Sequence, residues 1–129
     1  MVIDTHIFLW YCLDDPKLSP LLRERLRAEP HEIWVPSICL WEAIVLAQTG
    51  RINVSNPDPA RTLLTVFRRT RFNEAPLSAE IATLSRSLPF EHDDPADQFI
   101  AATAVALSLP LATSDERLRS LPFLKLSPS

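Results

Sequence analysis

Glycine is scarce in this chain. Its 129 residues contain one, Gly50, against twelve prolines, where average usage predicts about nine glycines and six prolines. A phosphate-cradling P-loop or a dinucleotide fingerprint needs two or three glycines in a short stretch, so both are excluded. Chemistry here must rest on side chains rather than on a glycine-lined backbone. Long hydrophobic runs are lacking too. No apolar segment approaches the roughly 20 residues that span a bilayer, and no basic region precedes an apolar one at the N-terminus. The expectation is a cytoplasmic protein with no membrane association. Cysteine is limited to Cys12 and Cys39, both set among apolar residues. They read as small buried hydrophobes in a reducing compartment, and no Cys/His zinc pattern exists. His6, His31 and His92 are accompanied by no serine or cysteine nucleophile pattern, so no triad is expected; His31 and His92 read as solvated turn residues.

What is present suits a globular protein. Hydrophobic residues make up 47% and charged residues 22% of the chain, enough for a packed core. The length fits one domain over 1–129. No internal repeat or linker divides it. The net charge of −3, taken alone, argues mildly against a nucleic-acid partner.

Strand-like and helix-like segments alternate. Expected strands cover 1–4, 32–35, 72–77, 111–113 and 123–126. Expected helices cover 5–13, 20–28, 37–49, 59–71, 78–88, 95–107 and 116–121. Ser19-Pro20 is a cap followed by proline in the first turn. Ser37 is expected to cap the third helix and Gly50 to stop it. This alternation predicts an α/β fold with a short, mostly parallel central sheet.

Four of the sixteen acids stand where charge is costly. Asp4 follows Val2-Ile3 and precedes a helix, so it sits at the carboxyl end of a strand, where open α/β folds bind ligands. Asp115 repeats this after Leu111-Ala112-Thr113. Either could serve simply as a helix cap. Glu42 shares its helical direction with Ile38, Val45 and Leu46; a carboxylate there must be paired, neutralised or metal-bound. A buried salt bridge to an arginine is the plain alternative. Asp97 shares a face with Ile100, Ala101 and Ala104 in a first helical turn, a role Asp93 or Asp94 fills better. Four carboxylates converging on one sheet edge cannot all stay ionised without a cation. An all-oxygen set suits Mg²⁺ or Mn²⁺, and such a site activates water for phosphoryl transfer.

The motifs Asp4-Thr5-His6, Trp41-Glu42-Ala43, Asp94-Pro95-Ala96-Asp97 with Phe99-Ile100-Ala101-Ala102-Thr103-Ala104, and Thr113-Ser114-Asp115 occur in that order. Together they resemble a PIN-domain nuclease, specifically a VapC-type toxin of a toxin–antitoxin system. The likeness spans essentially the whole chain. It implies a three-layer α/β/α domain, Mg²⁺ or Mn²⁺ dependence and endonucleolytic cleavage of RNA. It further implies a homodimer and a cognate antitoxin as partner. By that resemblance Asp4, Glu42, Asp97 and Asp115 are the catalytic acids. Asp4 and Asp97 are the firmest metal ligands, Asp115 ligates directly or through water, and Glu42 binds metal or positions the attacking water. Thr113 matches a hydroxyl that orients the acids. Many relatives carry arginine just after the third acid; Gln98 stands there instead, which leaves the charge balance of the metal-free site open.

Arg61, Arg68, Arg69 and Arg71 form a basic face opposite Leu63, Val66 and Phe67, either merely solvated or tracking RNA phosphates. Phe8, Trp10, Tyr11, Trp34 and Trp41 read as core or interface rather than base-stacking platforms. The first helix is apolar nearly all round, which points to burial in a core or a protein contact. Two rival functions are weaker. A phosphatase using Asp4 as nucleophile would offer a second Asp where this chain has His6. A catalytically inactive PIN-fold binding module would have lost an acid, and all four are present. Without those four, thirteen basic and twelve acidic side chains leave +1, so the formal acidity belongs largely to the site.

Overall fold

The computed structural model describes residues 1–54, 57–91 and 93–127; His92 lies outside them. Val2–Ile3 (β1) leads into Thr5–Cys12 (α1) and Pro20–Ala28 (α2). Trp34–Pro36 (β2) precedes Ser37–Gln48 (α3) and Pro59–Thr70 (α4). Asn73–Ala75 (β3) precedes Ala79–Ser87 (α5) and Pro95–Leu107 (α6). Leu111–Ala112 (β4) and Glu116–Arg119 (α7) complete the order. The four strands form one sheet, β3-β2-β1-β4, with every pairing parallel. Helices cover it in an α/β/α arrangement, as the alternation predicts. Val2, Ile3, Val35, Leu111 and Ala112 are almost fully buried, which is why these strands are plain apolar runs rather than alternating ones.

Several prolines have local work. Ser19 caps α2, Asp58 caps α4 and Asp94 caps α6, and each is followed by a proline in the first turn. The cap oxygen takes a free helix N–H while the ring supplies a preset φ. Glycine scarcity has the opposite consequence at helix ends. Gly50 takes φ +76 after α3, but Arg71 (φ 63) and Ser108 (φ 54) end α4 and α6 in left-handed conformations without glycine's freedom.

Two expectations need correction. Ser37 is the first residue of α3 rather than its cap. Its Oγ instead donates across to Ala75 O and Glu74, because β2 runs straight into the helix beside β3. The expected strand 123–126 contracts to one parallel bridge, Leu111 to Leu126. Phe123 still lies in the turn after Pro122, so the chain reaches β4 only at Lys125, whose carbonyl accepts from Leu111 N at 2.8 Å. No helix among the described residues is long and apolar enough to cross a membrane.

Candidate active site

All strands point the same way, so their carboxyl ends share one edge. Asp4 stands immediately after β1 and Asp115 three residues after β4. The register Ile3–Ala112 sets these ends side by side. Glu42 comes from α3, which starts at the end of β2, and Asp97 from the first turn of α6. The four acids line a single cavity of about 80 Å³, together with Thr5, His6, Asp94, Ile100 and Arg117.

Both strand-end acids do cap helices, and they do more. Asp4 Oδ1 accepts from Ile7 N at 2.9 Å, while its Oδ2 takes the hydroxyl of Thr113. Asp115 Oδ1 accepts from Arg117 N at 2.8 Å. The Thr113 oxygen also accepts from Asp115 N at 3.0 Å. One fully buried hydroxyl thus fixes both strand-end acids, the position the sequence resemblance gave to Thr113. Asp97 N donates to Asp94 Oδ1 at 3.2 Å, so Asp94 caps α6 and frees the Asp97 carboxylate from that task.

Glu42 is half-buried and is held by the Thr5 hydroxyl. The salt bridge considered for it is not formed among the described residues. The guanidinium goes to the other acids: Arg117 Nη2 lies 3.2 Å from Asp97 Oδ2, 3.4 Å from Asp115 Oδ2 and 3.9 Å from Asp94 Oδ2. Arg117 therefore supplies positive charge that Gln98 does not. Gln98 itself is buried and accepts from Arg86 Nη1 at 3.4 Å.

The electrostatics divide along the same line. Burial pushes the Asp4 carboxyl above its ordinary value, against the Thr113 and Ile7 donors. Burial also raises Glu42; the Thr5 bond opposes this, and the Asp94 and Asp97 charges reinforce it. At Asp115 burial works the same way but is outweighed by the hydrogen bond, backbone N–H and charge of Arg117, so its carboxyl lies below the ordinary value.

Five carboxylates and one guanidinium around a cavity make an oxygen-rich, net negative donor set, which fits a hard divalent cation. The space admits an ion with retained water. As placed, no three His, Cys, Asp or Glu side chains among the described residues converge closely enough to hold one. Asp97 and Asp115 turn toward Arg117, and Asp4 and Glu42 toward hydroxyls.

The α4 arginines are elsewhere. Arg61, Arg68, Arg69 and Arg71 are exposed, and none lines the cavity. Arg68, Arg69 and Arg71 end α4, just before β3 begins at Asn73 opposite Trp34. That is the edge where strands start, away from the acids. Phe8 is core, Trp10, Tyr11 and Trp34 are half-buried, and Trp41 is 59% exposed. Sequence reasoning missed Thr5 and Arg117 and gave Asp94 only a capping role. Thr5 lies in the Asp4-Thr5-His6 motif, whereas the sequence around Arg117 shows only Asp115 nearby, and α6 brings its other partners, Asp94 and Asp97.

The PIN domain family model matches residues 1–124. Ribonuclease VapC22 of Mycobacterium tuberculosis is 30% identical over 121 residues, covering 93% of this chain and 90% of that protein. Among solved structures, DNA-bound VapBC from Salmonella typhimurium superposes with TM-score 0.73 at 20% identity, over 98% of this chain and 95% of that one. VapBC2 from Rickettsia felis, bound to a DNA fragment from its promoter, gives 0.71 at 20% identity, over 98% and 96%. With an all-parallel sheet that carries its acids on the carboxyl edge, and a family match over nearly its whole length, this chain belongs to the PIN-domain family.

Proposed function

We propose that the protein is a metal-dependent endoribonuclease, a single PIN domain acting as the toxin of a toxin–antitoxin pair. The observation that carries this reading is the cavity at the carboxyl edge of the sheet, which five carboxylates line together with one arginine. The name of the mycobacterial relative, a ribonuclease, and the toxin–antitoxin complexes among the structural neighbours support the same conclusion.

Asp4 and Asp97 are the proposed principal ligands of Mg²⁺ or Mn²⁺, with Asp115 ligating directly or through water. An ion held there would supply Lewis-acid charge, favouring attack of water on the scissile phosphodiester and stabilising the negative charge that develops on the phosphoryl and leaving oxygens. Thr113 keeps Asp4 and Asp115 in register, so little reorganisation is needed when substrate arrives. Glu42 positions the attacking water, and its raised carboxyl suits it to accept a proton. The α4 arginines add only long-range attraction for the RNA backbone. Trp41, Leu13, Leu21 and Leu77, all large and exposed, are surface that an antitoxin or a second copy would cover. The test is cleavage of purified RNA by the intact protein. Mg²⁺ or Mn²⁺ should support cutting and a chelator should stop it; equal cutting in excess chelator contradicts the proposal.

A further inference from the structure

We propose that Arg117 is the resident counter-ion of the acid cluster, which holds Asp97 and Asp115 in place before a divalent cation binds and thereby sets the affinity for that cation. This rests on the metal-site reading above. The geometry is specific. One nitrogen, Nη2, faces Asp97 Oδ2 at 3.2 Å, Asp115 Oδ2 at 3.4 Å and Asp94 Oδ2 at 3.9 Å. Three acids from two separate elements share it. A divalent ion bound to Asp97 and Asp115 needs their oxygens at about 2.0–2.6 Å, and Nη2 lies in the space between the same two oxygens. The guanidinium and an ion compete for Oδ2 of both acids.

The side chain can also leave. It is 56% exposed and stands on the four-residue helix α7, so its outward path is open to solvent. Asp4 and Glu42 make no ion pair with it; they rely on Thr113 and Thr5. Arg117 therefore neutralises only one side of the cavity. That preserves the cluster without metal and raises the ion concentration needed to fill it. A guanidinium suits this task because it stays charged throughout the working pH range and is more weakly hydrated than an ammonium.

The test is Mn²⁺ titration of the full chain by calorimetry, at fixed pH and ionic strength, for wild type, Arg117→Gln and Arg117→Lys. Removing one positive charge beside the ion should tighten Mn²⁺ binding by about tenfold in Arg117→Gln. Arg117→Lys, which keeps the charge on a more strongly hydrated ammonium, should fall between the two. In chelator, Arg117→Gln should melt below wild type, and saturating Mn²⁺ should close the gap. Equal or weaker Mn²⁺ binding by Arg117→Gln, with wild type binding normally, overturns the inference alone. If Arg117→Gln fails to fold, Arg117→Lys decides: tighter binding than wild type supports the inference, and equal or weaker binding overturns it. Absence of Mn²⁺ binding in all three overturns the metal-site reading, and the inference with it.

Discussion

The two sides of the acidic cavity solve the same problem differently. On one side Asp4 and Glu42 are held by the hydroxyls of Thr113 and Thr5, and both carboxyls are pushed up by burial. On the other, Asp97 and Asp115 face the Arg117 guanidinium, and the Asp115 carboxyl is held down. A hydroxyl satisfies a carboxylate's hydrogen bonding without neutralising its charge; an arginine does both. The hydroxyl side is therefore the side left short of positive charge. A divalent ion is the species whose arrival would relieve it.

The largest expected effect comes from replacing a proposed ligand on each side. Asp4→Asn and Asp97→Asn should each lower RNA cleavage by at least about a hundredfold. Their metal-free stabilities should diverge. Asn caps a helix about as well as Asp and removes a carboxylate whose ionisation burial disfavours, so Asp4→Asn should melt at or above wild type in chelator. Asp97→Asn gives up an ion pair and should gain nothing. Equal gains in melting temperature would erase the distinction between the sides.

Next is the hydroxyl that joins them. Thr113 is fully buried, and Thr113→Val keeps its shape while leaving Asp4 Oδ2 and Asp115 N without their partner. Chemical denaturation should show a loss of about 1–3 kcal/mol, with m unchanged. A loss below about 0.5 kcal/mol would mean that the hydroxyl does not organise the site.

The pH dependence should carry opposite signs. The Asp4 carboxyl is raised in the fold, so its favourable contribution is complete below its ordinary value of 3.8 and is lost as pH climbs through the folded value. Glu42 behaves likewise from its ordinary 4.5. Asp115, held down, contributes above 3.8 and loses that contribution as pH falls through its folded value. In chelator, the melting temperature of Asp4→Asn should thus fall less than that of wild type between about pH 4 and 7. Asp115→Asn should instead lose an advantage at neutral pH that it does not lose in acid.

The smallest effect is expected far from the cavity. Replacing Arg68, Arg69 and Arg71 together with Gln should leave kcat within about twofold and flatten the salt dependence of KM. A large fall in kcat would mean that the edge where strands start takes part in the chemistry.

The fold was largely legible because its signals are local. Ser19-Pro20 and Asp94-Pro95 announce helix starts, Gly50 a stop, and the apolar runs at Val2 and Leu111 buried parallel strands. Helix α6 occupies the very range expected, 95–107. The short strand expected at 123–126 failed because a bridge of one residue has no periodicity to detect. The site was half legible. Asp4, Glu42, Asp97 and Asp115 stood out since each is a charge where burial is expected, and the fold gathers all four around one cavity. Arg117 carried no such mark: an exposed arginine on a short helix is ordinary until α6 delivers Asp94 and Asp97 to it. The α4 arginines showed the converse. Their clustering is plain in sequence, yet the edge of the sheet they reach depends on chain direction, which composition does not encode.

Hydrolysis of RNA by water is the reaction proposed for this carboxylate cavity. The most direct measurement is mass spectrometry of the first cleavage products formed in ¹⁸O-labelled water with Mn²⁺. Attack by water should place one solvent oxygen in the newly formed terminal phosphate and a hydroxyl on the other fragment, with no cyclic phosphate and all products absent for Asp4→Asn. Fragments ending in a 2′,3′-cyclic phosphate without solvent label, or labelled products formed equally by Asp4→Asn, would contradict it.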